Sequence, residues 1–264
     1  MSAGMRWLDV GQIDDMGRMN SPIHHLDARA KLIVTLAFIV VVMSFDRYAI
    51  SALTPFFLFL AVLIAAARLP MAPLLRKLLL AAPFAVLVGA FNPFFDHQPV
   101  LQIGGWTISG GWISFTNILL RFVLTVGAAL VLLATTGMYR LCAALEQLGV
   151  PPIFVTQLLF LYRYLFVISD EGAQMVRSVR MRSGVRGLSF REYGGLVGHL
   201  LMRSLDRAER VHQAMLTRGF DGNIRRLDSR RFGLSDALFL IFCLSVFIVA
   251  RSWNLAEHLG RLLN

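Results

Sequence analysis

Two short stretches hold the residues best suited to chemistry, Met181-Arg182-Ser183-Gly184 and Thr217-Arg218-Gly219. In each, an arginine stands in what the pattern predicts to be the last turn of a helix, and a small residue follows. The chemistry on offer is recognition, not turnover. Arginine keeps its charge and presents a planar fork of donors that meets a carboxylate bidentately. A last-turn arginine suits the negative end of the helix dipole, and a following glycine permits the left-handed residue that closes a helix. Either end alone is explained by helix termination. Together they describe two compact charged knobs able to enter two similar grooves on a paired partner, with Arg182, Ser183, Arg218 and Gly219 as the engaging residues. Asp221, just past the second tip, is placed to brace Arg218 or to serve as a helix-exit residue. Arg203, Arg207 and Arg210 share a basic face of the same helix, with Asp206 and Glu209 nearby, and Arg207 and Arg210 are candidate bracing residues.

Such tips need long helices behind them. A short amphipathic helix over 138–149 is stopped by Gly149 and by Pro151-Pro152. Pro152 suits the first turn of a long helix reaching Arg182, about 45 Å at 1.5 Å per residue, with Gly184 as its terminator. Ser189 with Glu192 three residues on reads as a capping box opening a second long helix. That helix runs to Arg218 with Gly219 as its C-terminal glycine. Val197, Leu201, Ser204, Ala208, Val211 and Met215 recur at helical spacing on it, a stripe predicted to pack on another helix.

The rest of the chain is built for lipid. Of 264 residues 56% are hydrophobic and only 16% charged, with a mean hydropathy of +0.64, too apolar for a soluble domain. The formal charge of +10 is almost all arginine, since lysine occurs only at Lys31 and Lys77. In a membrane chain that excess reads as cytoplasmic-side topology, not as nucleic-acid binding. Cys142 and Cys243 are far apart in sequence and imply neither a disulfide framework nor a metal cluster. Residues 1–20 are mixed-charge without an apolar centre, so no cleaved signal peptide is expected.

Five segments read as membrane spans: 31–45, 50–67, 74–95, 117–136 and 233–250. The linker near 68–77 carries Arg68, Arg76 and Lys77, whereas the loop 96–116 has no Lys or Arg, and its paired Gly-Gly-Trp units read as a small external hairpin or turn. The N-terminus is therefore inside and the C-terminus outside. Segment 152–168 is also apolar enough to be a span. Yet as a span it would export thirteen arginines between Arg177 and Arg231. The charge rule makes it a buried or interfacial helix, with Arg163 reaching water or a carbonyl. The expected fold is an all-α integral membrane protein of five spans, six if the first segments divide differently, plus a cytoplasmic insert of long crossing helices. The regions are 1–29 (cytoplasmic N-terminal segment), 30–136 (four spans), 137–232 (insert) and 233–264 (last span and tail).

With the motifs in place, the chain resembles the transmembrane T component of energy-coupling factor transporters, a branch of the ABC transporters, and most of all the CbiQ family of cobalt/nickel importers. "SPIHHLDARAKL" (21–32) is similar to that family's opening motif, with Ala28 in place of its usual proline. "YRYLFVISDE" (162–171) and "RSLDRAERVHQAMLTRGFDG" (203–222) continue the likeness. The two tips are similar to the family's paired Ala-Arg-Gly-type signatures, with Met181 and Thr217 in place of alanine and both arginines kept. The resemblance implies that the tips dock into two P-loop ATPase subunits. It implies too that the membrane helices hold a separate S component that binds cobalt or nickel, and it allows a small accessory membrane subunit. A multi-pass protein of the bacterial cytoplasmic membrane is expected. Arg182 and Arg218 would then transmit force and do no chemistry. The runner-up is a T component serving a vitamin-binding or shared S component.

The residues themselves support one part of this. A P-loop needs Gly-Lys-[Ser/Thr]. Here the lysines follow Ala30 and Arg76, so ATP is expected to be bound by partner subunits, with no cofactor and no enzyme activity in this chain. His24-His25 with Asp27, and His97 with Asp96, are weak as metal sites, because adjacent histidines cannot readily share a metal and no third ligand is near. Arg121 is expected to snorkel or pair. A stand-alone secondary transporter would need an acid within a span, whereas Asp236 stands only at the start of the last one. An intramembrane enzyme would need a base, and Cys243 and Ser245 have no histidine in any span.

Overall fold

The computed structural model describes residues 17, 21–46, 51–95, 99–103, 106–183, 189–222 and 232–252. Asp27 caps α1 (Ala28–Met43) by accepting from the Arg29 amide at 2.8 Å. Proline at its start opens α2 (Thr54–Ala67), and left-handed Arg68 (φ 53°) closes it. α3 (Met71–Gly89) follows, then the short α4 (Asn92–Phe95). Strands β1 (Pro99–Ile103) and β2 (Trp106–Ser109) pair antiparallel, Ile103 opposite Trp106, forming the hairpin expected in the loop that lacks Lys and Arg. The remaining elements are α5 (Gly110–Thr136), α6 (Met138–Gln147), α7 (Pro152–Ser183), α8 (Phe190–Thr217) and α9 (Leu234–Ser252). Apart from the hairpin the described fold is all α.

Among the described residues, four helices are long and apolar enough to cross a membrane: α3, α5, α7 and α9. The first two expected spans fall short. α1 has 16 residues and α2 has 14, about 24 and 21 Å against roughly 30 Å of hydrocarbon. Local chemistry bounds them: the Asp27 cap and the turn at Ser44 enclose α1, while the proline and Arg68 enclose α2.

The chain divides into two units, one of residues 1–144 and 230–264, the other of residues 145–229. In the first, α5 is the hub against which α1, α2, α3 and α4 pack, and α9 packs on α1. Phe38, Phe56 and Phe247 are fully buried at its centre. Phe38 meets Phe56 edge-on at 5.7 Å and Phe247 at 5.6 Å, and Phe59 meets Phe247 at 4.9 Å. In lipid such a cluster holds helices by packing and ring geometry, not by removal of water. Gly89 lets α3 approach α5, because a Cβ there would lie 2.8 Å from Phe115 Cδ2.

Polar ties at both ends of α1 fix the helix directions. At the Asp27 end, Lys31 Nζ donates to Thr135 O at 3.0 Å, and Asp236 Oδ1 accepts from the Asp27 amide at 2.8 Å. At the Ser44 end, Arg121 Nη2 donates to Phe45 O (2.7 Å) and Asp46 O (2.8 Å), and its Nε donates to Asn117 Oδ1 (2.9 Å). Arg251 Nη2 donates to Ser44 O at 3.2 Å. These arginines satisfy carbonyls that the end of α1 leaves without helical partners, so Arg121 pairs. α1 and α9 therefore run parallel, with α5 antiparallel to both. Residues 137–233 consequently leave and rejoin the bundle at the same end, which demands an even number of crossings between them. α8 carries Arg191, Arg203, Asp206, Arg207, Glu209 and Arg210 and is no candidate to cross.

Candidate functional site

α7 begins at Pro152 and α8 ends at Thr217, each within a residue or two of its sequence-based boundary. The capping box forms: the Ser189 amide donates to Glu192 Oε2 at 2.6 Å, and the Glu192 amide to Ser189 Oγ at 3.4 Å. The end of α8 is a Schellman closure. Gly219 is left-handed (φ 77°), its amide donates to Leu216 O, and the Phe220 amide donates to Met215 O, both at 3.0 Å. α6 closes the same way around Gly149 (φ 98°).

The two helices pack antiparallel. Leu200 of α8 lies against Gly172 of α7, where a Cβ would stand 3.3 Å from Leu200 Cδ2. One turn further along α8, Glu171 takes two arginines, one on each oxygen: Arg207 Nη2 at 2.7 Å and Arg203 Nη1 at 3.3 Å. Glu171 is largely shielded while Arg203 is mostly exposed, so the stronger contact is Arg207, at about 1 kcal/mol for a partly screened pair. Beyond this brace the helices frame a cleft of about 790 Å³. Its walls include Phe160, Tyr164 and Ile168 from α7 and Val211 and Met215 from α8.

The antiparallel register puts the tips at opposite ends of the hairpin. α8 has 28 residues, about 42 Å, and Arg182 ends α7 near the start of α8. Arg182 and Arg218 are both exposed, and neither makes an ion pair among the described residues. Ser183 is the last helical residue of α7, and Gly184 lies outside the described residues. No Asp221–Arg218 ion pair forms among the described residues; Asp221 lines the cleft beside left-handed Gly222. Arg207 is the brace to Glu171, whereas Arg210 is exposed without an ion pair among the described residues.

Sequence reasoning passed over Glu171. The available signal was an acid on α7 answered by Arg203 and Arg207, one turn apart on α8. The packing stripe needs correction too. Ser204, Ala208, Val211 and Met215 line the cleft with α7, but Val197 and Leu201 are 64% and 57% exposed. Leu196 and Leu200 are the half-buried residues there, because the Glu171 brace and the Gly172 contact turn α8 by one position. His24 is buried, with Nδ1 2.7 Å from Ser21 Oγ, and its carbonyl accepts from Arg140 Nη1 at 3.3 Å. Among the described residues no three His, Cys, Asp or Glu side chains are grouped to hold a metal ion. Asp96 and His97 lie outside the described residues. Cys243 is buried in the phenylalanine core, and Ser245 Oγ donates to Phe242 O of its own helix.

Comparison with known proteins agrees with this architecture. Residues 19–228 match the family described as cobalt transport protein, CbiQ. The chain is 29% identical to the energy-coupling factor transporter transmembrane protein EcfT of Limosilactobacillus fermentum, over 88% of this chain and 94% of that one. It is 31% identical to the cobalt transport protein CbiQ of Rhodobacter capsulatus over 45% of this chain and 50% of that one. It is 26% identical to the nickel permease LarQ of Lactiplantibacillus plantarum over 68% and 71%. A family match across most of the chain, on a helical membrane bundle carrying two arginine-tipped helices, makes this multi-pass membrane protein a member of the CbiQ family, the transmembrane components of energy-coupling factor transporters.

Proposed function

We propose that this chain is the coupling subunit of an ATP-driven importer for cobalt or nickel ions. Arg182 with Ser183 and Arg218 with Gly219 engage grooves on two P-loop ATPase subunits, which bind the ATP. Movement of those subunits swings the α7–α8 hairpin and reorients a membrane S component that carries the metal ion. The observation that supports this most is the pair of exposed arginine tips, without ion pairs among the described residues, at opposite ends of a hairpin braced through Glu171. The brace makes the hairpin move as one piece, and the separation of the tips suits two subunits, not one. Cobalt and nickel are favoured by the family match and by the relatives named for those metals. A vitamin-binding or shared S component is the second reading, favoured by the EcfT relative matched over nearly its whole length.

The test is co-purification from detergent of tagged wild type, Arg182→Ala, Arg218→Ala and the double variant, with uptake of radiolabelled cobalt and nickel measured in parallel. Removing one partner of a docked charge pair costs about 2–5 kcal/mol. The double variant should therefore lose at least tenfold in retained ATPase or in uptake, with the single variants between. Wild type that purifies alone and still moves substrate would sink the proposal in favour of a stand-alone secondary transporter. An ATPase-bearing wild type that moves neither metal would leave the vitamin reading.

A further inference from the structure

Residues 21–31 touch both roots of the insert. Where the chain leaves α5, Lys31 Nζ donates to Thr135 O at 3.0 Å, and Arg140 Nη1 of α6 donates to His24 O at 3.3 Å. Where the chain returns, Asp236 Oδ1 accepts from the Asp27 amide at 2.8 Å and its Oδ2 from the Gly233 amide at 2.9 Å. The short turn Pro22–His25 is itself held by the 2.7 Å contact of Ser21 Oγ with His24 Nδ1. Ser21, His24, Asp27, Lys31, Thr135 and Asp236 are all buried. Between α5 and α6 stands Gly137 in the left-handed conformation (φ 73°), so the chain turns at that root through a residue that tolerates it.

This is an expensive way to hold helices together. Apolar side chains pack a bundle without burying a lysine and two aspartates, and a buried polar network is worth its desolvation where one relative geometry must be kept. What the network fixes is specific: both ends of residues 137–233 are pinned to one turn of one helix.

We infer that residues 21–31 form a clasp that locks the two roots of the coupling insert against each other, with Lys31 and Asp236 as its positioning residues. Without the clasp, displacement at the arginine tips would spread the roots. With it, the displacement enters the bundle as one rigid movement. The inference rests on the coupling role proposed above.

The test reads the clasp with and without partners. Spin labels are placed at exposed Tyr139→Cys and Leu234→Cys, one on each root, in a full-length chain also carrying Cys142→Ala and Cys243→Ala. Wild type at Asp236 should give a single narrow distance distribution, and Asp236→Ala should at least double its width. In the reconstituted complex, Asp236→Ala should keep ATPase retention within twofold while metal uptake per ATP falls at least fivefold. If Asp236→Ala does not accumulate in membranes, Lys31→Met, which keeps the aliphatic stem, is read in the same way. An unchanged distance width overturns the clasp. A broadened distance with unchanged uptake per ATP, or uptake and ATPase rate falling in step, overturns the positioning role. Wild type that brings no ATPase sinks the coupling role alone, and the distances then still decide whether the clasp exists.

Discussion

In the membrane unit, α5 is packed by four other helices and buries residues along its length, from Gly110 to Thr136. In the second unit, residues 145–229, α8 is as long and has no buried residue at all. The membrane unit is held by a contiguous core of phenylalanines and branched aliphatics, tied at both ends of α1 by arginine, lysine and aspartate. The second unit is held by caps, one shared carboxylate and a cleft-lining stripe. A core of the first kind fixes a structure by itself. Contacts of the second kind fix the shape of a hairpin while leaving most of its surface exposed.

The contrast can be broken from the membrane side first. Phe38→Ala removes a ring packed by Phe56, Phe59 and Phe247 and should cost about 3 kcal/mol. Thermal unfolding of the purified protein in detergent should shift down accordingly, and an unshifted transition would show that the phenylalanine cluster is not the core that holds the bundle. Next comes Glu171→Ala, which strands Arg203 and Arg207 and should cost about 1 kcal/mol, confined to one unit. Hydrogen exchange should quicken in α7 and α8 while α1, α5 and α9 keep their protection; loosening spread over both units would contradict a local brace. The most local effect belongs to Gly219→Ala. There is open space for a methyl group there, so the penalty is the left-handed backbone alone, about 1 kcal/mol. It should fray only the last turn of α8, seen as faster exchange at Gly219 and Phe220, and an Asn at the same position should fray it less.

What could be read in the sequence was whatever is settled within a few residues. Ser189 with Glu192 and Thr217-Arg218-Gly219 fixed the ends of α8, since a cap is made by the residues beside it. The arginine tips and the apolar segments were legible for the same reason. The start of α2 was not, because the apolar run continues back through Ser51–Leu53, where the chain is a 3₁₀ turn and not yet α-helix. Nor was the packing face of α8: its apolar residues cover two sides, and only Glu171, on the other helix, decides which side turns inward. The ties from Lys31 to Thr135 and from Asp27 to Asp236 join residues far apart in the chain, and nothing local announces them.

The parallel course of α1 and α9 has one more consequence. Thr135 and Asp236 both sit within a turn of the start of α1. Cutting out residues 137–232 would leave two ends that a short linker can rejoin without rethreading any helix. The two ties that would flank the cut, Lys31 to Thr135 and Asp27 to Asp236, both lie outside it, so the junction keeps its chemistry when the hairpin is removed.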